Sequence, residues 1–167
     1  MTDTLRPYSL KQALEFTGLT SQTLRHWREV LPPLQGRKAH RSGFSARDLL
    51  AILVVKAWVD EFGGQVRHLS DHAEGLFTLC AEEPWPRLEQ SLLVYDLSTH
   101  CWHLVSVGEP LLWEKGAIIL PIGILAAHLR EQLIGEDQVP QKALDFPLMS
   151  VDGRASVARG RHRGRVQ

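Results

Sequence analysis

The stretch that decides the fold is residues 8–44, which read YSLKQALEFTGLTSQTLRHWREVLPPLQGRKAHRSGF. The segment Ser9–Gln12 has the form of a capping box, in which the serine and glutamine side chains each bond to the backbone of the other residue. Apolar residues then repeat at helical spacing, which predicts a first helix ending near Thr17. Gly18 suits the left-handed residue that closes a helix.

A second helix follows almost immediately. Thr20 can cap it, and it should span about Ser21 to Val30 before Pro32 and Pro33 stop it. One stripe of this helix is apolar and should face inward: Leu24, Trp27 and Leu31. For Trp27 we therefore predict core packing. The opposite face is polar: Ser21, Gln22, Arg25, Arg28 and Glu29.

The residues after the second helix predict an exposed loop. The segment 35–43 (QGRKAHRSG) is polar and basic, and Phe44 should anchor its return to the body of the protein. A short helix, a tight turn, a second helix and a basic loop together indicate a helix-turn-helix followed by a wing. This arrangement directs one helix toward the DNA major groove and one loop toward the flanking backbone.

The charge of the chain is distributed in blocks, although its formal net charge is +0. Residues 1–47 carry eight Lys/Arg against three acids, a net of +5, and residues 48–153 carry six against sixteen, a net of −10. Residues 154–167 hold five arginines and no acid. The positive charge is thus concentrated on the helix-turn-helix stretch and the tail, and local charge sets the field that a phosphate meets.

The remaining sequence predicts an α+β protein. Two more helices are expected at about 46–62 and 65–80, followed by a break at Glu83–Pro86. Short β-rich runs at 92–97 and 101–107 suit a hairpin, with a possible third strand at 117–120 and an amphipathic helix at about 124–133.

We predict three parts along the chain. Residues 7–83 form a mostly α winged helix-turn-helix domain for DNA binding. Residues 87–150 form a small α+β segment for dimerisation or partner binding, which packs on the fourth helix or on a second subunit. Residues 151–167 form a disordered Arg-rich tail, which either adds phosphate contacts or acts as a solubilising terminus.

Composition excludes several classes of protein. No apolar run reaches the roughly 18 to 20 residues that a membrane span needs, and the first residues lack the apolar core of a secretory signal. We therefore predict a cytoplasmic protein. Its two cysteines, Cys80 and Cys101, are too few for a disulfide framework, and both are expected to be reduced, buried and structural.

Laid out this way, residues 8–80 resemble the winged helix-turn-helix domain of the MerR family of bacterial transcription regulators. The family pattern runs "TLRYYE", "GLLPP", "YRRYS" and "LGF". The matching stretches here are, in the same order, Thr23–Glu29 (TLRHWRE), Val30–Pro33 (VLPP), His40–Ser45 (HRSGFS) and Glu61–Gly63 (EFG). The match covers just under half of the chain. It departs from the family where His26 and Trp27 replace the tyrosine pair, and no long dimerisation helix is evident after residue 83.

The resemblance implies which residues touch DNA. Ser21, Gln22 and Arg25 lie on the exposed N-terminal part of the recognition helix, within reach of base edges and phosphates. His26 and Arg28 are expected at the backbone. The wing set, expected at phosphates or at a flanking minor groove, is Arg37, Lys38, His40 and Arg41.

Histidines elsewhere raise the question of a metal site. His68 and His72 stand four residues apart on a predicted helix, and the run His100–His103 offers further potential ligands. No second cluster with known metal spacing accompanies them, and no nucleophile motif or Gly-rich phosphate loop is present. We predict no metal, no cofactor and no enzymatic activity.

The leading hypothesis is a sequence-specific transcription regulator that binds double-stranded DNA as a homodimer, with RNA polymerase or another protein as a further partner. One alternative keeps the DNA contact but gives it another role, since phage excisionases and small terminase subunits use similar winged domains to recruit a recombinase or a packaging motor. The other alternative is a protein-interaction adaptor whose winged domain does not bind DNA.

Overall fold

The structure is a computed structural model that describes residues 7–35, 43–111 and 116–137. Over these ranges it is an α+β protein, as the sequence predicts, with α-helices around a three-stranded sheet. The α-helices are α1 (Leu10–Thr17), α2 (Ser21–Val30), α3 (Ala46–Phe62), α4 (Ala73–Glu82), α5 (Trp85–Glu89) and α6 (Ile122–Asp137). Two 3-10 helices, Pro32–Leu34 and Val66–His72, and the strands β1 (Ser91–Asp96), β2 (Cys101–Ser106) and β3 (Ala117–Leu120) complete the fold.

The first two helices begin and end where the local signals place them. The hydroxyl of Ser9 accepts from the backbone N–H of Gln12 at 3.3 Å, and the side-chain oxygen of Gln12 accepts from the N–H of Ser9 at 3.0 Å. Gly18 closes α1 in the left-handed region at φ 64°. Thr20 caps α2 by accepting from Thr23 N at 3.1 Å. Each of these contacts satisfies a donor or acceptor that a helix end leaves free.

Helix α3 is the centre of the core. Its N-terminus has a second capping box, in which Ser45 N donates to Asp48 Oδ2 at 2.8 Å, and Gly63 ends it at φ 62°. The helix is apolar around most of its circumference, which is the pattern of a helix covered on several sides. Eight of its residues are buried: Leu49, Leu50, Ala51, Ile52, Val54, Val55, Ala57 and Trp58.

Two expectations for residues 65–89 are wrong in detail. A continuous helix over 65–80 is replaced by a 3-10 helix up to His72 and by α4 from Ala73. The indole Nε1 of Trp102 donates to the carbonyl of His72 at 2.9 Å at this junction, a contact from a distant strand that periodicity does not reveal. The break expected at Glu83–Pro86 is short, because Pro86 lies in the first turn of α5, where no N–H is needed.

The sheet has the strand order β2-β1-β3, with both pairs antiparallel. The predicted third strand therefore lies on the far side of β1 and not next to β2. Alternate residues of β1 face the helices: Leu93 and Tyr95 belong to the main core, together with Leu104, Ile118 and Leu120 from the neighbouring strands. The opposite face, which includes Val94 and Ile119, does not contribute to that core.

Helix α6 is longer than predicted and packs against α3, α5 and β1. Gly123 in its first turn lies so close to the α5–β1 connection that a Cβ there would be 2.5 Å from Glu89 O. Through α6 and the sheet, residues between Leu88 and Leu133 join the same hydrophobic core as residues 8–83. The predicted division of the chain between residues 83 and 87 stays a prediction. Within the described ranges, the residues before and after this point share one hydrophobic core.

Two further expectations concern solvent contact. Of the helices that the structure describes, none has the length and apolar character needed to cross a bilayer. Cys80 is buried and free, as predicted. Cys101 is free but exposed, so the expectation that both cysteines are buried is wrong for this residue, which opens β2 directly after a surface turn.

Candidate nucleic-acid interface

Helix α2 turns one face inward and one face to solvent. Leu24 is 1% exposed and Trp27 is 4% exposed, which confirms the prediction that Trp27 packs in the core. The outward face holds four of the five residues that the sequence assigns to the recognition helix, and all four are exposed or nearly so: Ser21, Gln22, Arg25 and His26. Arg28, the fifth, is half-buried at its edge.

The C-terminal end of α2 is held rigidly. Leu31 and Leu34 are both fully buried, the first at the end of α2 and the second on the short 3-10 helix that follows, and Gln35 Nε2 donates back to the carbonyl of Glu29 at 3.0 Å. Because the last turn of α2 is tied to the core in this way, the exposed face keeps a fixed orientation relative to the rest of the domain.

Arg25 is the most prominent cation on this face, with a side chain that is 84% exposed. Its Nε lies 3.6 Å from Glu29 Oε1, one helical turn away. An exposed pair of this kind contributes only about 0.3–0.5 kcal/mol, so the guanidinium can leave Glu29 for a phosphate or a base. Ser21 and Gln22 lie beside it in the first turn, where the helix dipole favours an anion.

Phe44, the residue that follows the predicted wing, is paired with Tyr8. Tyr8 and Phe44 form an isolated antiparallel bridge, with Phe44 N donating to Tyr8 O at 2.8 Å and Tyr8 N donating to Phe44 O at 2.7 Å. Phe44 is 5% exposed, so it anchors the return of the chain as expected. The four wing residues themselves, Arg37, Lys38, His40 and Arg41, lie outside the described residues.

Two further basic residues, which sequence reasoning did not assign to DNA binding, lie on an element that contacts α2. Arg67 and His68 are exposed on the second 3-10 helix, which packs against α2. The sequence pattern placed His68 on a regular helix with His72, and the 3-10 geometry does not preserve that one-face alignment. The sequence does contain one signal for this pair. Arg67 and His68 are adjacent basic residues within block 48–153, which is acidic in net charge.

Arg47 belongs to the basic block but not to this surface. Its Nη1 donates to the carbonyls of Cys80 at 3.2 Å and Glu83 at 2.6 Å, and its guanidinium lies 4.8 Å from the ring centroid of Trp85. These contacts tie the start of α3 to the end of α4, so the role of Arg47 is structural.

The histidines that raised the question of a metal lie elsewhere. His72 and His100 are stacked with ring centroids 5.1 Å apart, and the hydroxyl of Tyr95 is 3.1 Å from His100 Nδ1. This cluster joins the second 3-10 helix to the β1–β2 turn. Across residues 7–35, 43–111 and 116–137, no three His, Cys, Asp or Glu side chains are arranged to hold a metal ion.

Comparisons of the chain with protein-family models, with curated proteins and with solved structures found no match.

Proposed function

We propose that this protein is a sequence-specific DNA-binding transcription regulator of the MerR type, acting in the cytoplasm as a homodimer. Helix α2 enters the major groove, and the wing at residues 35–43 lies on the flanking backbone. Double-stranded DNA is the principal partner, and RNA polymerase or another protein is the second.

One observation carries the proposal: α2 follows α1 after a single tight turn, and its solvent face is polar and basic while its other face is locked in the core. A helix of ten residues is about 15 Å long, and the major groove is about 12 Å wide, so α2 can present its first turns to base edges. Gln22 can bond to adenine, and Arg25 to guanine or a phosphate.

The surroundings of α2 support the same function. The Tyr8–Phe44 bridge holds Phe44, the residue that follows the proposed wing, next to the domain core. The second 3-10 helix, which carries the exposed Arg67 and His68, packs against α2. Cationic side chains flanking a groove-sized helix are suited to the phosphates on either side of the groove.

The test is selection of bound fragments from the source genome by the purified full-length protein, repeated at low and moderate salt. We expect a short inverted repeat that persists at moderate salt. Arg25→Ala should weaken binding to that site by about 1–3 kcal/mol and relax the preference at one position. The matched control is Arg87→Ala, which removes one exposed arginine from α5 and should leave binding unchanged.

The selected sites also separate the alternatives. A single palindrome near a promoter supports the regulator, and a tandem cluster of sites supports a recruiter of a recombinase or packaging motor. Binding that is indiscriminate and disappears with salt overturns sequence-specific recognition. In that case an unchanged phenotype for Arg25→Ala combined with Arg41→Ala would point to the adaptor.

A further inference from the structure

We propose that the homodimer forms at the β2 edge of the sheet that the described residues build, where β2 pairs antiparallel with the partner's β2 about a two-fold axis at Leu104. The two three-stranded sheets then become one continuous sheet. This inference identifies the surface through which the homodimer of the proposed function forms. It therefore rests on the proposal that the protein is a homodimer.

The first argument is the position and hydrogen bonding of β2. It is an edge strand, and Val107 N donates to Gln90 O at 2.9 Å just beyond its end. Bonded pairs recur at every second residue of an antiparallel ladder, so Cys101, His103 and Val105 bond to β1. The backbone groups of Trp102 and Leu104 and the N–H of Ser106 point away from the sheet, while the carbonyl of Ser106 accepts from Glu109 N at 3.1 Å in the turn that follows.

The second argument is that β2 lacks the features that keep edge strands apart. Exposed edges are usually protected by lysine, proline, a bulge or a very short strand. β2 has six residues, CWHLVS, with no charged residue and no proline, and its register with β1 runs without a bulge. The opposite edge, β3, is only four residues long and is followed at once by Pro121.

The third argument is self-complementarity. Residues that face each other across an antiparallel pair lie on the same side of the sheet. Because side chains alternate along each strand, a two-fold axis between two copies of β2 must lie level with one residue, which then faces itself, and not level with the midpoint between two residues. The backbone groups that point outward belong to residues 102, 104 and 106, so the two strands can bond only if the axis lies level with one of these. Leu104 is the central residue of the three. Leu104 then meets the same residue of the partner subunit, and Trp102 meets the partner's Ser106.

The same register covers exposed residues at both ends of the strand. Val107 is 69% exposed and Cys101 is exposed, and the pairing sets Val107 opposite the partner's Cys101. Since β2 has no charge, two copies meet without like-charge repulsion. One strand of about 20 Å contributes much less than the ~800 Å² per partner of a standard interface. The dimer is therefore weak and concentration-dependent in the absence of DNA.

Disulfide trapping in the full chain tests this register. Val107→Cys should give a covalent dimer through Cys101 of the partner subunit under mild oxidation, because facing non-bonded pairs have Cα atoms about 4.5 Å apart, within the range of a disulfide. Val105→Cys is the matched control. Residue 105 lies on the same side of the sheet as residue 107, but it would face the partner's Cys101 only in a different register, with the axis at His103. We expect at least about tenfold more covalent dimer from Val107→Cys, and none once Cys101 is also changed to serine.

A second variant tests the edge without any disulfide. Ser106→Pro removes an outward N–H and leaves the bonds between β1 and β2 in place. Analytical ultracentrifugation should show a concentration-dependent dimer for the natural chain and a monomer for Ser106→Pro, with nearly equal melting temperatures. A natural chain that stays monomeric, a dimer that Ser106→Pro preserves, or a dimer that Val107→Cys does not trap each overturns the proposal. All readouts are made without DNA, so they are independent of whether the protein recognises a DNA site.

Discussion

Tyr8 and Phe44 are 36 residues apart in the sequence and exchange two backbone hydrogen bonds, at 2.7 and 2.8 Å. The ring of Tyr8 also packs edge-on against Phe16 of α1, with centroids 5.5 Å apart. A single bridge thus closes the segment that contains α1, α2 and the predicted wing. It therefore links Phe44, the residue that follows the predicted wing, to the packing of α1.

The anchor of that bridge should be important for stability. Phe44→Ala should lower the free energy of unfolding by about 3–5 kcal/mol, because it empties a site in which the ring is 5% exposed. Urea denaturation followed by circular dichroism measures the change. Phe62→Ala is the control, since Phe62 is 47% exposed and should cost clearly less. Equal losses for the two variants would contradict the anchoring role.

Arg67 should contribute to DNA binding as a phosphate contact. Arg67→Ala should weaken binding to all sequences about equally and reduce the slope of log K against log salt by about 0.9, the value for one phosphate. Fluorescence anisotropy at a series of salt concentrations measures the slope. Arg130→Ala removes an exposed arginine that is paired with Glu89, and should leave the slope unchanged. An unchanged slope for Arg67→Ala would remove the second 3-10 helix from the interface.

The two cysteines should differ sharply in reactivity. Cys80 is fully buried, and burial raises the pKa of its thiol from 9.0 to about 12, so it should not react with a thiol reagent under mildly alkaline conditions until the protein unfolds. Cys101 is exposed and should react quickly, and Cys101→Ser should abolish the fast phase. Two fast thiols per folded chain would show that the core around α4 opens readily.

The raised pKa of Cys80 also predicts a loss of stability at high pH. The unfolded thiol ionises near its ordinary pKa of 9.0, whereas the folded thiol stays protonated up to about 12. The stability that comes from the neutral buried thiol is therefore complete below pH 9 and is lost as the pH rises from 9 to 12. Cys80→Ala should show a smaller decrease in unfolding free energy over this interval.

Asp96 should make the β1–β2 turn sensitive to acid. Its carboxylate accepts from Ser98 N and Oγ, both at 2.7 Å, and from Thr99 Oγ1 at 2.9 Å. The bonds from Ser98, followed by those from Thr99, lower its pKa from 3.8 to about 2. The stability they confer is present above pH 3.8 and is lost as the pH falls through 2.

The test of this acid sensitivity is the unfolding free energy between about pH 2 and pH 5. The natural chain should lose stability across the interval, and the double variant Ser98→Ala/Thr99→Val should lose less, because its side chains no longer donate to the ionised carboxylate, although the backbone N–H of Ser98 still does. The double variant should also be less stable than the natural chain at neutral pH. Parallel curves for the two proteins would show that these bonds do not favour the charged form of Asp96.

Two glycines of α6 should respond in opposite directions. Gly123→Ala should destabilise the protein by about 1–3 kcal/mol, because its Cβ would lie 2.5 Å from the backbone oxygen of Glu89 and the helix would have to move. Gly135→Ala should stabilise it by about 0.5–1 kcal/mol, since nothing lies within 4 Å of a Cβ there. Thermal melting of both variants measures this, and stabilisation by Gly123→Ala would contradict the close approach of α6 to the α5–β1 connection.

The accurate sequence predictions were those that depend on neighbours within a few residues. The capping box at Ser9, the left-handed Gly18 and the cap of α2 at Thr20 all involve contacts over three or four positions. The inward stripe of α2 was equally predictable, because helical spacing alone puts Leu24 and Trp27 on one side. These local signals are sufficient to define the two helices and the turn between them.

The sequence by itself thus determined where most helices and strands form and which face of each is apolar, because capping, turn chemistry and periodicity are local properties. Only the tertiary structure decided that β3 lies beside β1, that Trp102 meets the end of the 3-10 helix at His72, and that the same 3-10 helix packs against α2. These contacts join residues far apart in the chain. They depend on how several apolar faces are buried together, and no single stretch of sequence contains that information.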